Sequence, residues 1–486
     1  MKTFEVDSEG IPRCPCDSCP REGRIPPAVG RRQCWECVNT VGKSVAQGSA
    51  HTEAEESTYY RCIGIGVGPA NLSLASLLHG LPGVSNLFLD ENDQFGWHDG
   101  QQLTGASLQV SLLKDLVLLS DPTNGFSFLA YLHEQGRIYH FINAQYDAVP
   151  RMEFRNYLEW ASRRNKNVVF GEKVLSVEFD DWFVVRTSRR TLRAENIVVG
   201  VGTRPWVPET SLGKLGETQF HVSDFTVESQ NVAGRRVTVV GGGQSGAEAF
   251  LDLIARPPKE LPRRVTWVSR RENYLPLDDS PFTNEYYVPS YSDHFFGLDR
   301  ATRNSLNRKN ILTSDGISGS TLREIYQHCY EHRFIRGAQD LVTLLPNRDV
   351  TDVARNESGA WAMKMTHNDE PGTVEHLDTD IIVWATGFRP APTDFLAPIA
   401  DRLEREGDEY RIDQDFAVRW DGPRDRMIFM QNAARGQRGL ADPNLSLTAW
   451  RSRRILDRII GEGSDRQLPS FVEWSAKPSD DEPGAP

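Results

Sequence analysis

Two short glycine-rich stretches carry the plainest chemistry. Gly241-Gly242-Gly243-Gln244-Ser245-Gly246 follows the β-branched run Val-Thr-Val-Val and leads into a helix-forming stretch. Strand, glycine turn and helix in that order offer backbone N–H groups and a helix N-terminus to an anion, which is how a dinucleotide pyrophosphate is held. A less complete copy is Gly66-Val67-Gly68-Pro69-Ala70-Asn71. There Gly66 permits the tight turn, Gly68 lets the backbone approach a phosphate, and Asn71 stands where a third glycine is usual. Asp90 ends the next strand, 24 residues after Gly66, about where an acid accepts hydrogen bonds from an adenosine ribose. One such turn alone is equally a structural strand–helix connection; the ordered series favours a dinucleotide. After the second turn the next strand ends in Ser269, Arg270 and Arg271, with no acid at the ribose position. A hydroxyl and two guanidiniums suit the extra phosphate of NADP, although a solvated basic strand end has the same composition. One turn for FAD (Gly66, Gly68, Asn71, Asp90) and one for NADPH (Gly241, Gly243, Gly246, Ser269, Arg270, Arg271) implies electrons passing between two dinucleotides.

A second constellation is made of cysteines. Of seven, five fall in the first 37 residues, and only Cys62 and Cys329 come later. Cys16-x2-Cys19 and Cys34-x2-Cys37 are separated by 14 residues, a spacing that suits a structural zinc with four thiolate ligands. Cys14 is a spare ligand, and a redox-labile leader is the plainer alternative. The two later cysteines are far apart in sequence, which argues against a pyridine-nucleotide disulfide reductase, an enzyme that needs a cysteine pair beside its flavin.

Elements that position these groups can be read along the chain. Residues 41–57 are small, polar and acidic, the composition expected of a linker. From Tyr59 the texture becomes that of buried strands, turns and apolar helices. Further strands are expected at 194–209, 263–271 and 378–390, an aromatic and partly helical region at 280–340, and an amphipathic helix in LSLTAWRSRRILDRIIG. The 486 residues, 39% hydrophobic and 25% charged, suit two to three globular domains. A net charge of −12 argues against nucleic acid or an anionic membrane as partner. No run reaches the roughly 18 apolar residues of a membrane span, and the start lacks a secretion signal, so a cytoplasmic protein is expected.

The blocks GIGVGPANLSLA, FGWHDG, LQVSLLKDLV, DPTNGFSFLAYL, VTVVGGGQSGAEAF, WVSRRENY, FTNEYYVPSY, LTSDGIS, WATGFRP and GLADPNLSLTAWRS run in order through residues 59–475. Together they make the chain resemble the flavin-dependent N-hydroxylating monooxygenases of siderophore synthesis, especially the L-lysine N6-hydroxylases. The resemblance implies that NADPH reduces FAD, that O2 forms a C4a-hydroperoxyflavin, and that its distal oxygen passes to a neutral amine. It implies a substrate-binding set of Lys114 (on the α-carboxylate), Asn284 and Ser446 (near the amine at the flavin edge). It places Gln109, Trp97 and His98 beside the flavin, and it implies that no side chain acts as a nucleophile. Relatives of this kind are often dimers or tetramers, so a homo-oligomer is expected.

The resemblance leaves the amine open. Lys114 favours an amino acid over a diamine, and TSDGIS looks like the lysine enzymes, whereas ornithine enzymes usually carry Asn-Tyr there. ARGQRGLADPN (434–444) departs from the His-rich turn of lysine enzymes, which keeps putrescine and cadaverine in play. L-lysine is favoured, with a diamine or L-ornithine as alternatives. GETQFHVSDF (216–225) also resembles a linker of flavin monooxygenases that oxygenate sulfur or carbonyl carbon, and a non-enzymatic flavin redox sensor is a further rival. The expected fold is α/β with two Rossmann-like dinucleotide-binding domains (FAD and NADPH), a small helical substrate region and a short Cys-rich N-terminal appendage. The expected spans are 1–40 for the zinc module, 41–57 for the linker, 58–225 and 381–475 for the FAD domain, 226–380 for the NADPH domain with its insertion, and 476–486 for a disordered tail.

Overall fold

The computed structural model describes residues 59–146, 148–463 and 470–476. The cysteine cluster, its linker and the tail from 477 lie outside the described residues. The described residues form one compact body with two large sheets, and each large sheet with the helices packed on it makes one of two units, the first and the second in chain order.

The first sheet runs Val168–Val169, Asn86–Leu89, Tyr59–Ile65, Thr191–Val199, Phe183–Thr187, Val174–Phe179, and Met427–Met430 also pairs with Thr191–Val199. Register sets Ile65 beside Leu89 and Val199, and Val199 beside Met430, so four parallel strands end together where the Gly66 turn departs. Such a carboxyl edge is where α/β sheets bind ligands. Cys62, Ile63 and Ile65 are all buried, as expected of a central strand covered on both faces. Helix Pro69–His79 begins with a proline, whose missing N–H has no partner in a first turn anyway, and is buried from Ala70 to Leu78. Against it packs the helix Thr448–Ile460, the amphipathic helix expected from its sequence. Its buried residues Thr448, Ala449, Arg451, Ser452, Ile455, Leu456, Asp457 and Ile459 gather on one side at spacings of three and four, as one face of a helix must.

The second sheet runs Val342–Leu345, Arg264–Val268, Arg236–Val240, Ile381–Trp384, Gln219–His221, all parallel. Gln219–His221 and Ile381–Trp384 both belong to it, so the sheet reaches beyond both ends of the 226–380 span. Which strand pairs with which is a tertiary matter, and an apolar run looks alike in either sheet. Between Arg264–Val268 and Val342–Leu345 the chain forms helices Pro289–Gly297, Arg300–Lys309, Leu312–Asp315 and Gly319–Tyr330. An antiparallel meander of Arg348–Arg355, Trp361–His367 and Val374–Thr379 follows, in a stretch where the sequence marks no strands. It closes one face of the second sheet through a core of Val353, Trp361, Met363 and Met365 against Val240, Val268, Ile382 and Trp384. Among the described residues no helix is long and apolar enough to cross a membrane.

Candidate active site

At the first turn Gly66 has φ +86°, and a Cβ there would stand 2.6 Å from the Gly200 carbonyl oxygen. Asp90 Oδ2 accepts the Val67 N–H at 2.7 Å and Oδ1 accepts the Asn92 N–H at 2.9 Å, so this carboxylate braces the turn. Asn71 is fully buried and faces inward. Its Nδ2 donates to the carbonyls of Ile65 and Gly66 at 3.0 and 2.8 Å, and its Oδ1 accepts from Gln431 Nε2 at 2.8 Å. Asn71 thus ties the turn from within, where a third glycine would leave a gap. Nothing stands within 4 Å of where a Cβ on Gly68 would project. That open space over the N-terminus of Pro69–His79 fits a pyrophosphate.

The second turn is tighter. Gly241 has φ +142°, and a Cβ there would meet the Ala385 carbonyl at 2.0 Å; one on Gly246 would meet the Gly241 carbonyl at 2.3 Å. Helix Gln244–Ala255 therefore seats directly on the turn. At Gly243 the nearest atom to such a Cβ is the Asp315 carbonyl oxygen at 3.7 Å, so this position too is open enough for a phosphate. Ser269 is buried, and its Oγ accepts the Arg271 N–H at 3.1 Å. Arg271 Nη1 donates to the carbonyls of Gly242 at 3.0 Å and Asp315 at 2.8 Å, which makes it a strut across the turn. Arg270 is exposed.

Lys114 sits on a loop anchored by its neighbour. Asp115 is buried, with Oδ1 accepting from the N–H groups of Val117 and Leu118 and Oδ2 from that of Phe128, at 2.7–2.8 Å. Lys114 Nζ donates to Ser446 Oγ at 3.0 Å. The Ser446 hydroxyl itself donates to Asn444 Oδ1 at 2.7 Å, so its lone pair is what faces the ammonium. Two residues expected at opposite ends of a substrate are here in contact. Burial holds the Lys114 pKa below its ordinary value. Asn284 lies exposed on the short helix Thr283–Tyr287, with Nδ2 on the Asp279 carbonyl at 3.0 Å. Tyr287 joins that helix to the TSDGIS block by donating to the Thr313 carbonyl at 2.6 Å. Gln109 is exposed and donates to Gln244 Oε1 at 3.3 Å, which links the first unit to the second turn.

Aromatic rings and a histidine mark the junction between the two units. Trp97 and His98 meet edge-on at 4.9 Å, and His98 lies 6.0 Å from Phe388, which in turn lies 5.0 Å from His221. His221 Nδ1 accepts the Ser223 N–H at 3.1 Å, so the ring proton sits on Nε2 and is donated to the Gly387 carbonyl at 3.1 Å. The 216–225 linker is thereby tied to the Gly387 turn. A Cβ on Gly100 would lie 1.8 Å from the Ser223 carbonyl, so FGWHDG packs directly on the same linker. The 434–444 stretch is a buried polar turn. Arg451, fully buried, donates to the Asp442 carbonyl and carboxylate at 2.7 and 3.0 Å, and Asp442 also accepts the Ala434 N–H at 2.9 Å. The Arg438 guanidinium stands 4.3 Å from the Phe296 ring centre and 4.5 Å from that of Phe416, and it donates to Asp293 at 2.8 Å.

Residues 58–390 match the family model for L-lysine 6-monooxygenase/L-ornithine 5-monooxygenase. The chain belongs to that family. Among its relatives, the L-lysine N6-monooxygenase of Escherichia coli is 37% identical over 420 residues, covering 85% of this chain and 97% of that protein. Among solved structures, the FAD-bound cadaverine monooxygenase of the desferrioxamine pathway from Erwinia amylovora superposes with TM-score 0.79 at 29% identity, covering 86% of this chain and 99% of that one. The Kutzneria sp. 744 ornithine N-hydroxylase, solved with reduced FAD, NADP+ and L-ornithine, gives TM-score 0.76 at 28% identity, over 83% and 99%. Within the family frame, sequence reading passed over Asp115, which fixes the Lys114 loop, and Arg151 and Glu248, which join the two units. Glu248 carried a usable signal: it stands four residues after Gln244, on the same helix face. Arg151 carried none, because its partner is distant in sequence.

Proposed function

We propose that the protein hydroxylates the side-chain amine of L-lysine, using FAD at the first turn and NADPH at the second, to supply a hydroxamate-type siderophore or related product. The observation that carries the choice of an amino acid is Lys114. Its ammonium is held by Ser446 through one N–H, leaving two N–H donors for a carboxylate, and burial makes that charge strongly receptive to an anionic partner. Bound FAD, reduced by NADPH, supplies the oxygen-transfer chemistry. The chain's own residues bind and orient. Lys114 takes the α-carboxylate, Ser446 keeps Lys114 aimed, and Asn284 borders the same region from the Thr283–Tyr287 helix. Gln109, Trp97 and His98 line the flavin side. Arg270 is the group offered to the extra phosphate of NADPH, with Arg271 and Ser269 shaping the turn behind it. Only a neutral amine is nucleophilic, and removal of water from the site favours loss of its proton. A cytoplasmic setting accords with the use of NADPH, and a homo-oligomer with the habit of such enzymes.

A second reading, hydroxylation of cadaverine or putrescine, is favoured by the 434–444 turn and by the similarity to the cadaverine monooxygenase. The deciding experiment is hydroxylamine formation alongside NADPH oxidation with L-lysine, L-ornithine, cadaverine and putrescine. Stoichiometric product from L-lysine alone supports the first reading. Preference for a diamine replaces it with the second, and NADPH oxidation giving peroxide with all four sinks both.

A further inference from the structure

Glu248 and Arg151 come from different units. Glu248 is on the helix that leaves the Gly241 turn, and Arg151 opens the helix Arg151–Arg164 of the first unit. They form a bidentate pair, Nη1 to Oε2 at 2.9 Å and Nη2 to Oε1 at 2.8 Å, with side chains only 14% and 8% exposed. Each end is fastened further. Arg151 Nη1 also donates to the Gln101 carbonyl at 2.9 Å, three residues from His98, whose Nδ1 meets Gln101 Oε1 at 3.1 Å. Gln244 Nε2 donates to Glu248 Oε1 at 2.9 Å, while Gln244 Oε1 accepts the Ser318 N–H at 2.8 Å and Gln109 Nε2 at 3.3 Å. One continuous network thus runs from the Trp97–His98 pair through Arg151, Glu248 and Gln244 to the first residue of the helix that faces the second dinucleotide.

Desolvating two charges is expensive, and packed apolar residues often serve stability as well or better. What such a pair supplies is direction: two parallel N–H···O bonds fix both distance and angle. We infer that Arg151, Glu248 and Gln244 are positioning residues forming a latch that sets how the nicotinamide carrier faces the flavin, so that they govern the rate of flavin reduction and the fraction of oxygen delivered to the amine. This rests on the reading that the second turn holds NADPH. The network spans the interface on which hydride geometry depends, and a small error of placement there is costly in rate.

The test uses FAD-loaded enzyme carrying Glu248→Gln or Arg151→Lys. The first removes the charge but keeps the shape, and the second keeps the charge but removes the fork. Flavin reduction is followed anaerobically with NADPH and separately with dithionite, together with FAD content, thermal midpoint, NADP+ affinity and the ratio of peroxide to hydroxylamine. The expected result is at least a tenfold slower reduction by NADPH in both variants, unchanged reduction by dithionite, NADP+ affinity within threefold, and a rise in peroxide. The idea is overturned if NADPH reduces both variants at the parental rate with parental coupling. It is equally overturned if the rates fall only in proportion to lost FAD or lost folded protein in both. Should Glu248→Gln fail to fold, Arg151→Lys decides alone. Failure of the underlying reading looks different: the unaltered enzyme itself is then not reduced by NADPH.

Discussion

Replacing Lys114 by alanine separates an amino-acid hydroxylase from a diamine hydroxylase. The side chain is half-buried on a loop locked by Asp115, and one of its three N–H groups is committed to Ser446 at 3.0 Å. A hydrogen bond to a charged partner contributes about 1.5–3 kcal/mol, and the partial desolvation here argues for the upper half of that range. About 2–3 kcal/mol corresponds to roughly a 30- to 150-fold rise in KM. Because the carboxylate is remote from the reacting amine, kcat should change little. Steady-state hydroxylamine formation with L-lysine and with cadaverine makes the assay specific, since cadaverine has no carboxylate and its KM should stay level or fall. A KM for L-lysine that rises less than threefold, or an equal rise for cadaverine, refutes the reasoning. pH offers an independent check. Burial places the Lys114 pKa in the folded protein below its value in the unfolded chain. Between those two values the unfolded chain binds the extra proton, so stability of the substrate-free protein rises with pH there. Affinity for L-lysine, which needs the charged form, falls over the same window. Lys114→Met should abolish the stability slope.

Three further outcomes are expected. Gly68→Val should leave the thermal midpoint of the apoprotein unchanged, because nothing stands within 4 Å of the new Cβ, yet abolish FAD retention; Gly241→Ala, aimed at the Ala385 carbonyl from φ +142°, should destabilise the fold itself by about 1–3 kcal/mol. Comparison of the two in thermal melts and flavin absorbance checks the assignment of the first turn. Arg270→Ala should raise KM for NADPH roughly tenfold while leaving that for NADH level, as loss of one phosphate contact worth about 1.5 kcal/mol implies; equal effects on both would remove Arg270 from the 2′-phosphate. Metal analysis of the full chain should find one zinc, lost when Cys16 and Cys19 are both changed to serine, with hydroxylase activity retained; a metal-free, active parent chain would end the zinc reading.

The two glycine turns were legible because their geometry is local. A strand, glycines and a helix start are neighbours in sequence, and Gly66, Gly241 and Gly246 each sit where a side chain would collide with backbone. The ordered blocks along 59–475 likewise sufficed for the family, since each preserves its own short-range chemistry. Lys114 as a candidate carboxylate ligand could be proposed from its block alone. Other things depend on which distant segments meet. Asn71 could be counted only as an imperfect glycine, until Gln431, 360 residues away, supplied its partner and turned it into a buried tie. Arg271 reads in sequence as a phosphate ligand, and its further hold on the Asp315 carbonyl, 44 residues away, is visible only in the fold. Ile381–Trp384 was an apolar strand with two sheets to choose from, and hydrogen-bond pairing with Arg236–Val240 decided between them. The contact of Lys114 with Ser446 and of Arg151 with Glu248 joins residues separated by 332 and 97 positions. Sequence by itself determined the two strand–glycine–helix turns and the family, because those are written in spacing; only the tertiary structure decided what each polar side chain holds, because a hydrogen bond needs two partners and spacing names one.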